Sequence, residues 1–333
     1  GAHRVLLTTS CTAALEMSAL LCDVQEGDEV ILPSFTFVST ANAFALRGAK
    51  LRFVDVRPDT LNLDEAQLEA SIGPRTRGIV PVHYAGVGCD MPRIQAIARA
   101  HDLWVVEDAA QAVNSTYDGQ QLGTFGDLGC FSFHETKNFI CGEGGALVIN
   151  DPALVERAEI VRDKGTDRQR MFRGQVDKYT WIDLGSSYVM ADLLAAFLLA
   201  QLEQRKTIQA TRRVIWETYD RGLRGWADGH GVQLPAVPDG CEPAYHLYWM
   251  IVPSLEQRQE LIAHLADHGI DVAFHYQPLN TSAMGRQFGG RPGDCPVTEA
   301  AADRLIRLPY HHALTPDDMA RVVETVRSYF ERS

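Results

Sequence analysis

Seven short apolar runs in the first half of the chain, most of them alternating with helical stretches, restrict its possible folds more than any other feature. The runs are Val5–Thr8, Glu29–Leu32, Leu51–Val56, Gly78–Val82, Leu103–Glu107, Leu128–Phe133 and Gly145–Ile149. Each is apolar or β-branched and bounded by turn residues, the pattern of a buried strand. Helical patterns over Thr12–Cys22, Phe37–Arg47, Asp64–Ser71 and Met91–His101 lie between them. Alternation of this kind predicts an α/β fold with a mostly parallel seven-stranded sheet covered by helices on both faces. Ligands of open α/β sheets sit beyond the carboxyl ends of the strands. The residues that follow each strand therefore carry the functional argument.

Beyond residue 151 the texture changes. Pro152–Lys164 has a helical pattern, and the loop Gly165–Lys178 is rich in Arg and Lys. That loop is either a solvated surface or a cationic arm for a diphosphate, in this subunit or its neighbour. Met190–Leu223 is one long helical pattern, and Ala191–Leu202 is apolar around most of its circumference. A helix of that kind packs against a partner or a domain interface. Strands at His246–Val252 and Val272–Tyr276, a helix at Leu255–His268 and an amphipathic helix at Pro316–Phe330 complete the chain. The expected organisation is a large domain over residues 1–189, a connecting helix over 190–224 and a small α+β domain over 225–333.

Bulk properties exclude several classes. The net charge of −12 argues against a nucleic-acid partner, which needs a basic face. No apolar run approaches the roughly 20 residues that span a bilayer, and no signal peptide is visible. The 7 cysteines are odd in number and never spaced as C-x-x-C. Free thiols in a reducing cytoplasm are expected, with no disulfide framework and no metal site. No G-x-G-x-x-G follows the first strand, and no P-loop motif occurs.

The strand ends supply candidate site residues. After the first strand, the hydroxyl-rich run Thr8–Thr12 opens a helix. Ser10 or Thr12 can serve as a simple N-cap, or the free amides and dipole there can seat a phosphate. The second strand leads to Phe35 and Phe37, core residues or covers for a flat ring. The fourth leads to His83, most simply a hydrogen-bonded structural histidine. The fifth ends in Glu107-Asp108-Ala109-Ala110-Gln111. Asp108 can cap a following helix, or it can face a protonated ring nitrogen. Unit charges about 4 Å apart at an effective dielectric near 20 attract by about 4 kcal/mol. That is roughly 3 pK units, enough to keep a pyridine-type nitrogen protonated at neutral pH. Gln111, three residues on, is expected on the same helical face, within reach of a ring substituent. Lys137 lies between the sixth and seventh strands and precedes a glycine-rich turn. By itself it reads as a loop lysine or as an amine presented inside a pocket.

Together these residues resemble the fold-type-I enzymes of pyridoxal 5′-phosphate (PLP), and within them the DegT/StrS family of sugar-nucleotide aminotransferases. The resemblance runs the length of the chain. It rests on Ser10-Cys11-Thr12-Ala13-Ala14-Leu15, the run from Gly27 to Phe37, Glu107–Gln111, Phe131-Ser132-Phe133, Thr136-Lys137-Asn138 and Gly142-Glu143-Gly144-Gly145. The variants His134–Asn138, Arg173–Trp181 and Gly185–Tyr188 look like the branch that aminates dTDP-4-oxo-6-deoxyglucose at C4.

The resemblance implies a role for each position. Lys137 would anchor the cofactor covalently and move the substrate proton. Asp108 would hold the ring nitrogen protonated, Gln111 would bond the ring hydroxyl and Phe37 would stack on the ring. The amides of Cys11 and Thr12, with the Ser132 hydroxyl, would seat the phosphate. Ser187 stands where many members supply an asparagine to the other subunit, implying a homodimer with shared sites. Lys178, Tyr179, His275 and Tyr276 would contact the sugar nucleotide. Asn280 departs from a histidine usual in the family, and the segment that members carry before Val5 is missing from this chain.

The implied activity is a PLP-dependent transamination, with pyridoxamine 5′-phosphate as the alternate cofactor form. It would carry the amino group of L-glutamate to the 4-keto carbon of a dTDP-linked 6-deoxyhexose or pentose. Alternatives are amination at C3 and a non-catalytic regulator on the same fold. The 3-dehydratases of the family have histidine where this chain has Lys137.

Overall fold

The computed structural model describes residues 1–331. Its strands in the first half are β1 (Arg4–Thr8), β2 (Glu29–Pro33), β3 (Lys50–Val54), β4 (Thr76–Ile79), β5 (Trp104–Asp108), the two-residue β6 (Thr116–Tyr117) and β7 (Gln120–Gln121), β8 (Leu128–Ser132) and β9 (Gly145–Ile149). All seven expected strands are present, and they form one sheet in the order β1-β9-β8-β5-β4-β2-β3. Only the β1/β9 and β9/β8 pairings are antiparallel. Because β9 alone runs backwards, its first residues sit at the same sheet edge as the last residues of the other strands.

Alternation along the strands builds two cores. Val30, Leu32 and Val106 face one cluster, whereas Ile31 and Val105 face another, as successive side chains of a strand must. The first cluster is closed by α1 (Cys11–Leu21), α2 (Val38–Ala45) and, after β9, α5 (Val155–Arg162). The second is closed by α3 (Leu68–Ser71) and α4 (Met91–Ala100). α4 shows why a helix forms where it does. Asp90 accepts a hydrogen bond from the Arg93 amide as N-cap, Pro92 sits in the first turn, and Met91, Ile94, Ile97 and Ala98 make the buried stripe.

No helix follows β5. The residues after Asp108 form turns, tied by Ala112 N–H to the Ala109 carbonyl at 2.9 Å. The helical face expected for Asp108 and Gln111 is thus replaced by a tight turn, which leaves both side chains at the sheet edge.

The second half departs further from expectation. After the short α6 (Arg168–Phe172), the long helical pattern is two helices, α7 (Asp192–Glu203) and α8 (Arg205–Ala227), broken at Gln204. The break lets each serve a different cluster. Leu198 of α7 packs with Phe133, Phe139 and Met190. Ile215, Tyr219 and Leu223 of α8 pack in the core of the C-terminal part. That part adds β10 (Cys241–Glu242), which pairs with β6, and β11 (Trp249–Ile251), which pairs with β12 (Leu305–Arg307). Its helices are α9 (Leu255–Asp267), α10 (Ala283–Gln287), α11 (Pro296–Arg304) and α12 (Pro316–Glu331). The strand expected at Val272–Tyr276 is reduced to one bridge between Ala273 and Arg307. Past that bridge the chain turns its side chains into the cavity described next rather than continuing a ladder.

Candidate active site

A cavity of about 530 Å³ opens at the carboxyl edge of the sheet, a size usual for small-ligand sites. Every strand of the sheet except β3 contributes in turn. Ser10, Cys11 and Thr12 follow β1, Thr36 and Phe37 follow β2, Val82 follows β4, and Gln111 follows Asp108 at the end of β5. Ser132, His134 and Lys137 come from the end of β8 onward, and Gly144 precedes β9. His246, Phe274, His275, Tyr276 and Arg307 close the opposite wall.

The start of α1 is capped by Ser10, whose Oγ accepts from the Ala13 amide at 3.0 Å. The cap leaves the amides of Cys11 and Thr12 outside the helical ladder, as first-turn donors are. β9 approaches this turn so closely that a Cβ on Gly145 would lie 2.3 Å from the Ser10 carbonyl carbon. The glycine there makes room for the backbone of the helix start, not directly for a ligand. The Cys11 thiol is pushed well up, first by burial and then by Asp108 and Cys130, so it stays protonated and the backbone is the polar feature.

Asp108 is buried, and its Oδ2 accepts from Thr40 Oγ1 at 2.6 Å while Oδ1 accepts from the Ala110 amide at 3.1 Å. Both donors are neutral. A buried carboxylate without a cation is costly, so Asp108 suits a positively charged ligand group. Gln111 is fixed at one end, where its Oε1 accepts from the Ala85 amide at 2.7 Å, and its Nε2 donates to Tyr276 Oη at 3.0 Å. One amide proton remains free for a ligand. The Lys137 amine is held below the usual lysine value, chiefly by burial, with Cys11 and Asp108 opposing and Arg307 assisting. The shift favours the neutral, nucleophilic form of the amine relative to an ordinary lysine. Phe37 lines the cavity with 57% of its surface exposed and its ring tilted against that of Tyr276, centroids 6.5 Å apart. This donor set fits a flat, phosphate-bearing, cationic aromatic carbonyl cofactor.

His275 donates to or accepts from Tyr84 Oη through Nδ1 at 3.2 Å and stacks on Tyr276 with centroids 4.1 Å apart. Burial, then Arg307 and Lys137, press its pKa down to about 3, so it is a neutral hydrogen-bonding group. Lys178, Tyr179 and Ser187 lie off this cavity on the exposed stretch before α7. Asn280 is also outside it, fully buried between Ser34, Arg291 and Glu299 as scaffold. Among the described residues no group of side chains is arranged to hold a metal ion.

A model of the DegT/DnrJ/EryC1/StrS aminotransferase family matches residues 1–327. The chain belongs to this family. It is 34% identical to the GDP-perosamine synthase of Caulobacter vibrioides, over 97% of this chain and 85% of that one. The aminotransferase TlmJ from Streptoalloteichus hindustanus superposes with a TM-score of 0.90 at 35% identity, covering 98% of this chain and 86% of TlmJ. The PLP form of Spr1654 from Streptococcus pneumoniae has a TM-score of 0.90 at 28% identity, covering 99% of this chain and 88% of that one. As a member of the family this chain is a PLP-dependent aminotransferase.

The cavity residues His246, Phe274 and Arg307 escaped the sequence, as did Thr40, which supports Asp108 from behind the lining. Thr40 carried a usable signal, four residues after Thr36 at the start of α2, and the two hydroxyls meet at 2.8 Å. His246, whose Nδ1 meets Asn138 Oδ1 at 2.7 Å, and Arg307 carried none, since only the packing of the C-terminal part brings them to the sheet edge. His83 is structural. Its Nδ1 accepts from the Cys89 amide, which puts the proton on Nε2, 2.9 Å from Glu107.

Proposed function

We propose that this aminotransferase moves the amino group of L-glutamate to the 4-keto carbon of a dTDP-linked sugar, a 6-deoxyhexose or a pentose, in the cytoplasm. The observation that carries the proposal is Lys137, an amine with a burial-lowered pKa facing the same cavity as Asp108 and Gln111. When bound, PLP supplies a carbonyl to accept the amino group and a ring that takes up the electrons left on deprotonation.

The residues around it have separate tasks. Asp108, with only neutral donors of its own, keeps the ring nitrogen protonated. Thr40 and the Ala110 amide hold its two oxygens in place. Gln111 bonds the ring hydroxyl with its free amide proton. Cys11 and Thr12 amides and the Ser132 hydroxyl take the phosphate. Phe37 covers one face of the ring. Lys137 anchors the cofactor when the site is at rest. Once displaced, its amine takes the proton from the donor's α-carbon and delivers one to the sugar carbon. Its lowered pKa makes the neutral, proton-accepting form more accessible than in an ordinary lysine. His275 and Tyr276 meet the sugar nucleotide as neutral donors and acceptors.

A homodimer with shared sites is part of the proposal. Leu193, Phe197 and Leu199 of α7 are 82%, 54% and 58% exposed, large apolar side chains that a second copy would cover. Phe172, Trp181 and Leu184 are also exposed, in the stretch that carries Lys178, Tyr179 and Ser187. A second copy packed there would bring these last three toward its neighbour's cavity.

The test is direct. Purified protein loaded with PLP is given L-glutamate and dTDP-4-keto hexose, dTDP-4-keto pentose or the GDP-linked hexose, and the new C–N bond is assigned by NMR. Amine at C4 of a dTDP sugar supports the proposal. Transfer to C3, or to the GDP sugar alone, overturns the substrate, and no transfer to any of them overturns the activity.

A further inference from the structure

We infer that Arg307 receives the α-carboxylate of the amino donor, which deepens the transaminase reading and rests on it. Arg307 ends β12, and its side chain lines the cavity. Its Nε is buried without an acceptor, and no ion pair involves it among the described residues. Arg47 and Arg162 also have a buried Nε without an acceptor, but neither lines the cavity, and several other partly buried guanidinium groups are committed. Arg157 binds Asp23 and Asp183, Arg57 binds Asp59 and Glu65, and Arg212 holds the Tyr245 and His246 carbonyls. A guanidinium does not give up its proton at neutral pH. A buried donor without an acceptor is costly, so the wall at Arg307 is built for an anion that comes and goes.

Four anionic groups enter such a site, counting both carboxylates of glutamate, and position separates them. The γ-carboxylate carbon is three bonds from the α-carbon, away from the reacting proton. The cofactor phosphate belongs at the start of α1, where Cys11 feels Asp108 and Lys137. Arg307 comes instead from β12 of the C-terminal part, together with the cavity residues His246 and His275, and lies within electrostatic reach of Lys137. The diphosphate of a sugar nucleotide is separated from the reacting keto carbon by the sugar ring. The donor's α-carboxylate is one bond from the carbon whose proton Lys137 takes. A planar fork beside that amine meets a carboxylate in two parallel hydrogen bonds. It also sets which face of the α-carbon Lys137 sees. When the keto acid leaves, Arg307 is empty again, and the cavity is open to the uncharged ring of the sugar.

The experiment uses the PLP-loaded enzyme and its Arg307→Gln and Arg307→Lys variants. The visible band of the bound cofactor is followed after rapid mixing with L-glutamate or with L-isoglutamine, whose α-carboxylate is an amide. Binding of dTDP is measured alongside by calorimetry. Wild type should prefer glutamate. Arg307→Gln should raise the half-saturating glutamate concentration about 10- to 100-fold, the loss expected for charge-assisted hydrogen bonds. It should also abolish the preference for glutamate over the α-amide, while the cofactor band and dTDP affinity stay as they were. Arg307→Lys should fall between the two, and it carries the test if the glutamine variant does not fold. Unchanged discrimination in both variants overturns the inference. So does weakened dTDP binding with normal glutamate saturation. A wild-type enzyme blind to L-glutamate overturns the transaminase reading itself, and the inference with it.

Discussion

Glu107 and Asp108 are neighbours at the end of β5, both buried carboxylates, and they face opposite sides of the sheet. Glu107 meets four donors. His83 Nε2 and the Gly123 amide reach one oxygen, and the Phe125 and Gly126 amides reach the other, all at 2.7–2.9 Å. Every lone pair is occupied, so the group ties strand to loop and has nothing left for a ligand. Asp108 has two neutral donors and a cavity in front of it. The lesson is that burial of a charge does not mark function. What marks it is burial with acceptor capacity left unspent.

The largest effect that should separate the pair is on rate. Asp108→Asn removes a charge worth about 4 kcal/mol against a ring cation at 4 Å. Turnover should fall about 10³-fold, with the thermal midpoint nearly unchanged. Glu107→Gln should do the reverse. Swapping an acceptor for an NH₂ opposite an amide N–H strands buried groups at a cost of roughly 1–3 kcal/mol. The thermal midpoint should drop, while kcat of the folded enzyme stays close to wild type. If Glu107→Gln proved the catalytic lesion and Asp108→Asn the stability lesion, the contrast would be wrong.

Thr40→Val probes the support of Asp108 rather than its charge. Loss of the 2.6 Å hydrogen bond should cost about 1–1.5 kcal/mol. That appears as a drop of roughly tenfold in kcat or in PLP affinity, and a wild-type result would mean that Ala110 alone holds the carboxylate. The smallest effect is a shift along the pH axis. The neutral amine is the form that captures PLP, and its fraction rises with pH through the pKa. Because burial lowers the Lys137 pKa, the capture rate of the cofactor-free protein should climb at lower pH than an ordinary lysine requires. A profile that rises only near the ordinary value of 10.5 would remove that argument.

Two apolar helices repeat the contrast at a larger scale. α1 and α7 are both dominated by Leu and Ala, yet Ala14, Leu15 and Met17 of α1 are sealed against the sheet, whereas α7 buries only Leu198. Hydrophobic pattern alone told that α7 needs a surface to cover it. It did not tell whether that surface belongs to the same subunit.

What the amino-acid order determined by itself was whatever short-range physics carries. The seven strands follow from apolar runs between turns, and the helix starts follow from caps such as Ser10 and Asp90. Lys137, Asp108, Gln111 and Ser132 were legible because each lies at a strand's end or within five residues after it, and strand ends of a parallel sheet share one edge. Tertiary structure decided the rest. The turn after β5, the break at Gln204 and the position of Asn280 are answers to packing that no local pattern encodes. His246 and Arg307 reach the cavity only because the C-terminal part folds onto the sheet edge. The meeting of residues 137 and 307 at one cavity depends on how two separately built cores are joined, and neither core's own pattern of apolar residues contains that information.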